Sequence, residues 1–191
     1  MNTLLEVLNS YSQSCGNCNT PLIMKMTDHK FVLSICGKIQ GPAAYIPVVV
    51  LLNAMTEEDE LTILVDSPGG DLLIAIDLVT AITNCKGTVI GIGIGAVQSA
   101  GSFIYAFCPK RSCMDGAMVM YHGPLFSMAG KGTALSDYAT IIGEYVEYIT
   151  QVSIAAGILS EDEWNAVKTS KSMAFISGKE IRTRLAQSGG N

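Results

Sequence analysis

Thr88-Val89-Ile90-Gly91-Ile92-Gly93-Ile94-Gly95-Ala96-Val97-Gln98-Ser99-Ala100-Gly101-Ser102-Phe103-Ile104-Tyr105-Ala106-Phe107 reads as a buried strand, a tight turn and a helix in succession. The run Thr88–Gly95 is apolar on one register and mostly glycine on the other, so a neighbouring element can pack closely against it. Ser99 stands between that apolar run and the helix-like stretch Phe103–Phe107, in the small-residue setting Gly95-Ala96-Val97-Gln98-Ser99-Ala100-Gly101. A serine at the end of a strand that opens a helix has its hydroxyl pushed into a cleft beside the helix's unpaired amides, which is how a nucleophile is presented. For a lone serine the alternative is simple packing of a strand–helix turn, and two further elements weigh against that alternative here.

The first element is Ser67-Pro68-Gly69-Gly70-Asp71, after the apolar strand Leu61–Val65 and before an amphipathic helix over Asp71–Asn84. Pro68 restricts the turn, and the two glycines permit positive φ and close approach of a ligand to backbone N–H groups. Such a turn can aim an amide at a developing oxyanion, a contact worth about 3–4 kcal/mol of barrier in hydrolases; a plain strand–helix connection is the alternative. The second element is His122, at the end of the strand-like run Ala117–Tyr121. The chain has two histidines. His29 lies in the polar segment Thr27-Asp28-His29-Lys30 and reads as a solvated loop residue, so a general base near Ser99 is His122.

Three stretches then resemble the signatures of the Clp protease proteolytic subunit family, in its order and near its spacing. They are Val65-Asp66-Ser67-Pro68-Gly69-Gly70, Gly95–Phe103 and Met118-Val119-Met120-Tyr121-His122-Gly123-Pro124-Leu125. The resemblance runs from about Phe31 to Ile181. It implies a serine endopeptidase with the ClpP/crotonase-like α/β fold: a parallel-strand core, outer helices and a protruding handle helix. Two stacked seven-membered rings would enclose a chamber, and a paralogous subunit could share them. On this resemblance Ser99 is the nucleophile, His122 the base, and the amides of Gly70 and Ala100 the oxyanion hole. It also implies a substrate-pairing strand over Ser127–Gly132 and a handle helix over Ala134–Ala156. Residues 1–30 would form an N-terminal segment near an axial entrance, with the whole chain, 1–191, one peptidase domain.

The chain departs from the family at the third triad position. The family places an aspartate just before an Asn-Phe pair, and the corresponding stretch here is Thr169-Ser170-Lys171-Ser172-Met173-Ala174-Phe175-Ile176-Ser177. Anchored on Phe175, Met173 takes the aspartate's place, and a one-residue slip puts Ser172 there as third member. Neither is charged, and losing the acid from such a triad costs about 10⁴ in turnover. A Ser172 hydroxyl or a backbone carbonyl could orient the ring without the charge, and Asp115, Asp137, Asp162 and Glu163 are candidate acids from elsewhere in the chain.

Composition suits one globular domain with large partner faces: 191 residues, 49% apolar and 15% charged. The net charge of −5 argues against nucleic acid as a main partner. No apolar run approaches the ~20 residues of a membrane span, and Met1–Cys15 lacks a secretory signal's pattern. A cytoplasmic location is expected. Of six cysteines, Cys36, Cys85, Cys108 and Cys113 read as buried or half-buried thiols. Cys15-Gly16-Asn17-Cys18 has metal or redox spacing but no second ligand pair, so neither a metal nor a cofactor is expected. No phosphate-binding Gly-rich sequence is present. The resemblance implies polypeptide substrates fed by an AAA+ unfoldase ATPase, and that partner would be the one to consume ATP. Tyr138, Ile141, Ile142, Tyr145, Ile149 and Val152 recur at helical spacing as one apolar face, and Ser160/Glu163 and Ser177/Glu180 announce two short helices by capping boxes. Two other classes remain open: an inactive structural ring subunit, and a CoA-thioester enzyme of the crotonase type. A viral capsid-maturation protease of the same fold is a variant of the first reading.

Overall fold

The computed structural model describes residues 21–123, 132–170 and 173–188. Four strands, β1 (Leu22–Thr27), β2 (Lys30–Cys36), β3 (Glu60–Ser67) and β4 (Thr88–Gln98), lie side by side in that order. Beyond β4 the sheet continues with β6 (Met118–His122) and β7 (Met173–Ser177), while β5 (Lys110–Cys113) pairs with β4 off that path. The central pairings β2–β3, β3–β4, β4–β5 and β4–β6 are parallel. The crossovers that parallel pairing demands are helical. They are α1 (Pro42–Ala54), α2 (Leu72–Asn84) and α3 (Ala100–Phe107), followed later in the chain by α4 (Gly132–Ala155), α5 (Glu161–Ser170) and α6 (Gly178–Gln187). The α/β architecture with a parallel core and outer helices is the one expected.

Local chemistry sets these boundaries. Pro42 opens α1, where a missing N–H costs nothing, after Gly41 in the left-handed region at φ 72°. Asp71 caps α2 through its carboxylate, which accepts from the Leu73 and Ile74 amides at 2.9 and 3.4 Å. The Ser160/Glu163 box closes reciprocally at 2.8 and 3.2 Å. At Ser177 only the hydroxyl arm forms, because Glu180 turns instead to Arg184 Nε at 2.9 Å. The core is one cluster running from Leu33, Ile63 and Val65 on the strands to Leu78, Ile104, Tyr105 and Ile149 on the helices. The glycines of β4 do what their alternation announced. A Cβ at Gly91 would meet Cys108 Sγ at 2.8 Å and Tyr105 Cδ2 at 3.4 Å, so α3 and its C-terminal turn lie directly on the strand.

Two irregularities aim the end of β4. Val65 pairs with Gly93 but Ser67 with Val97, so β4 carries extra residues opposite Asp66. Asp66 holds this bulge by accepting the Ala96 amide at 2.8 Å, and a Cβ on Gly95 would sit 2.3 Å from its carboxylate oxygen. Before the bulge β4 pairs with β5; after it, Ala96–Gln98 pair with Met118–Met120 of β6.

Several expectations change. Residues 22–27, inside the stretch read as an N-terminal segment, form β1, antiparallel to β2. β5 and β7 were not anticipated: KRSC is mostly polar, and MAFIS alternates over five residues only, so neither shows a helix-scale signal. The helix α4 spans the expected handle, and none of its residues 132–141 is fully buried. Its apolar residues make two faces instead of one. Ile142, Val146, Ile149 and Ser153 are buried in this chain's own core, whereas Ile141, Tyr145 and Tyr148, about 100° round the helix, are 50%, 46% and 57% exposed. The expected strand over Ser127–Gly132 lies outside the described residues except for Gly132, which opens α4. Cys15, Cys18 and Ser172 also lie outside them.

Candidate active site

Ser99 is the last residue before α3 and has φ 52°, ψ −122°, the single positive φ outside glycine among the described residues. A non-glycine residue persists there only when its surroundings over-determine it. They do. The Ser99 amide donates to Met120 O on β6 at 2.9 Å, and its carbonyl accepts from Ser102 N at 2.9 Å and Ser102 Oγ at 2.6 Å. Gly69 presses from the other side: a Cβ there would fall 2.7 Å from Ser99 Cβ and 3.0 Å from the Ala100 amide nitrogen. The backbone thus forces the hydroxyl outward.

Across the β4–β6 seam, His122 ends β6, and its Nε2 lies 2.8 Å from Ser99 Oγ. Its other ring nitrogen, Nδ1, contacts the carbonyl oxygen of Gly123. No carboxylate lies within 4 Å of either nitrogen among the described residues. The four candidate acids are elsewhere. Asp115 pairs with Arg182 at 2.5 Å. Glu163 is gripped by Arg184 at 2.8 and 2.9 Å, which holds its carboxyl below the usual carboxylate range. Asp137 and Asp162 are exposed. Met173, in contrast, stands directly opposite His122 in the antiparallel β6–β7 register and is half-exposed.

The 67–71 turn completes the site. Buried Ser67 accepts the Gly69 amide on its hydroxyl at 3.0 Å. Ile39 N donates to Gly69 O at 2.9 Å and Asp71 N to Ile39 O at 2.8 Å, which straps the turn to the strand-like bridge at Ile39. Gly70, at φ 151°, tolerates no side chain, since its Cβ would lie 2.1 Å from Ile39 O. Strapped in this way, the Gly70 N–H has no hydrogen-bond partner among the described residues, and neither has the Ala100 N–H at the start of α3. Four of the five expected site residues, Ser99, His122, Gly70 and Ala100, therefore sit on elements that converge at the C-terminal ends of β3, β4 and β6, while Ser172 lies outside the described residues. That is where ligands bind in open parallel sheets.

The thiols and the phenol nearest these elements are buried. Burial pushes the Cys108 thiol up to about 12 and the Cys113 thiol up to about 11. The Tyr121 hydroxyl, beside His122 in sequence, is pushed up to about 12 by burial and approaches Ser153 and Ser102 without bonding either. His29 is remote from the site: it is exposed and meets Asp59 at 3.1 Å and Glu58 at 3.7 Å. The described residues contain no group of three or more acidic, cysteine and histidine side chains fit to hold a metal ion. Sequence reasoning missed Asp66 as the keeper of the bulge, Gly69 as the wall behind Ser99, and Ser102 as a donor to its carbonyl. For Asp66 and Gly69 the signal was present, a carboxylate and a glycine inside the quoted motif.

The described residues thus bring a serine–histidine pair to a strand–helix elbow with positive φ, beside a Gly-Gly turn, in an α/β fold. The family model described as Clp protease matches residues 19–175, and the chain belongs to that family. It is 34% identical over 90 residues to "ATP-dependent Clp protease proteolytic subunit 3, chloroplastic" of Arabidopsis thaliana, a match covering 46% of this chain and 29% of that protein. It is 27% identical over 146 residues to "ATP-dependent Clp protease proteolytic subunit" of Physcomitrium patens, covering 72% and 70%. To "ATP-dependent Clp protease proteolytic subunit 2" of Tropheryma whipplei it is 24% identical over 128 residues, covering 66% of each. The chain thus spans less than a third of the Arabidopsis relative's length and about two thirds of the other two. No described helix is long and apolar enough to cross a membrane.

Proposed function

We propose that this chain is a serine-type endopeptidase subunit of a Clp-type ring protease that cleaves unfolded polypeptides through an acyl-enzyme. The observation that carries the reading is the 2.8 Å contact between Ser99 Oγ and His122 Nε2, on elements shared with the Gly70 and Ala100 amides, which have no partner among the described residues. In this mechanism Nε2 takes the Ser99 proton as Oγ bonds to the scissile carbonyl carbon. The carbonyl oxygen, now negative, accepts from the Gly70 and Ala100 N–H groups. His122 then passes its proton to the leaving amine, and the C–N bond breaks. Water repeats the sequence on the ester, giving its proton to Nε2 while Ser99 regains one.

The partner assignment rests on chemistry the chain lacks and on surface it leaves open. It has no phosphate-binding Gly-rich loop, so the energy for unfolding substrates would come from an AAA+ ATPase ring. Ile46 and Val50 on α1 are each 60% exposed, and Ile141, Tyr145 and Tyr148 form a second apolar face on α4. Both faces support burial between copies in stacked heptameric rings. The unbridged thiols Cys85, Cys108 and Cys113 fit a reducing compartment such as the cytoplasm.

A second reading, an inactive structural ring subunit, is favoured by one observation: Met173 occupies the place opposite His122 where an acid would act. Labelling of the assembled protein with a fluorophosphonate probe separates the two. The peptidase reading expects modification at Ser99, abolished by Ser99→Ala and strongly slowed by His122→Ala. A well-assembled sample that takes no label belongs to the structural reading, and specific retention on a CoA matrix would favour the crotonase-type alternative.

A further inference from the structure

Resting on the serine-peptidase reading, the geometry around His122 points to Gly123 as a positioning residue: its backbone carbonyl orients the imidazole in place of a triad acid. The chain then works as a correctly tautomerised Ser99–His122 dyad and not as a broken triad. A carbonyl oxygen can only accept, so the Nδ1 that contacts Gly123 O must carry the proton. A neutral imidazole has one N–H, so Nε2 is left with its lone pair, and that lone pair faces Ser99 Oγ at 2.8 Å. This is the tautomer a general base needs.

The assignment decides how much activity is lost. When the orienting acid of a serine triad is replaced by its amide, turnover falls by about 10⁴ because the ring is locked in the wrong tautomer. Here the wrong tautomer is excluded by an acceptor that cannot donate. What the site lacks is only the full negative charge that would stabilise the imidazolium, since the residue opposite is Met173 and no described carboxylate lies within 4 Å. The ring itself is placed by the ladder: His122 is the last residue of β6, which pairs with β7 through five consecutive residue pairs. The missing aspartate therefore marks a slower subunit, not a dead one.

The test reads the ring directly. The chain's two histidines make ¹⁵N-histidine spectra of the assembled protein simple, and His122→Ala assigns the signals. In the neutral form of the His122 ring the expected result is a protonated Nδ1 and an unprotonated Nε2; a neutral ring that carries its proton on Nε2 overturns the inference. As a second measurement, Met173→Asp is expected to raise kcat by less than about 10²-fold. A gain near 10⁴-fold with Met173→Asp would mean that the wild-type ring sits in the wrong tautomer, and it too overturns the inference. Absence of Ser99 labelling removes the peptidase reading and this inference with it. A neutral ring with its proton on Nε2, in a protein whose Ser99 is labelled, removes the inference alone.

Discussion

Replacing Met173 by aspartate would restore a charge beside the imidazole, and the structure sets the size of the effect. Residues directly opposite on antiparallel strands have Cβ atoms about 4.5–5.5 Å apart on one face, so an aspartate at 173 reaches the His122 ring without backbone movement. A carboxylate about 4 Å from an imidazolium gains about 4 kcal/mol at an effective dielectric constant of ~20. Met173 is 51% exposed, however, so solvent screens much of this, and the carboxylate must displace the Gly123 carbonyl from Nδ1. About 1–2 kcal/mol of transition-state stabilisation remains, or about 5–30-fold in kcat. The gain belongs in kcat and not in KM, because the imidazolium forms only on the way to the transition state. Steady-state hydrolysis of a fluorogenic peptide, with assembly checked by sedimentation velocity, measures both constants. An unchanged or lower kcat in an intact assembly would refute the placement of residue 173 opposite a working base.

Gly69→Ala puts a methyl 2.7 Å from Ser99 Cβ at a φ of 92°, so probe labelling of Ser99 should slow at least tenfold while Tm falls by several degrees; normal labelling would show that the wall behind Ser99 is dispensable. Glu163 has its carboxyl lowered by Arg184, so the folded state binds its proton less readily than the unfolded chain. Its contribution is present above the unfolded value near 4.5 and is lost as pH falls through the folded value. The stability difference between wild type and Glu163→Gln, from urea midpoints, should therefore shrink between about pH 5 and pH 3. A difference that stays constant across that window would remove the Glu163–Arg184 pair as an acid-labile tie. Replacing exposed Tyr145 and Tyr148 together by serine should weaken assembly, read by sedimentation, while leaving the circular dichroism of the subunit intact. Unchanged assembly would take α4 out of the proposed interface.

The elements around Ser99 were legible because each carries a local signal. The strand of Thr88–Gly95 shows period-two glycine alternation, α2 opens on Asp71, and α5 opens on a Ser160/Glu163 box; each appears within a few residues of its expected place. The apolar stripe on α4 was only half legible. Periodicity shows that Ile141 and Ile142 are both apolar, but whether a side chain is buried by its own core or left for a neighbour depends on the rotation of the helix about its axis. The strands β5 and β7 were invisible for a similar reason: each is short and is held by a neighbour distant in sequence, Ile90–Gly93 for β5 and Met118–His122 for β7.

By itself, then, the amino-acid order determined the alternation of strands and helices, the small-residue elbow at Ser99 and the glycine turn at Gly69-Gly70, since all three depend on neighbouring residues alone. Tertiary structure alone decided which groups meet. The bulge clasped by Asp66 bends the end of β4 against β6 and so brings residues 99 and 122 to 2.8 Å. The β6–β7 register sets a methionine, not an acid, across from the imidazole, and leaves the Gly123 carbonyl as its partner. Proton position in a histidine depends on which atom faces each nitrogen, and that is a property of three-dimensional contact that no spacing along the chain encodes.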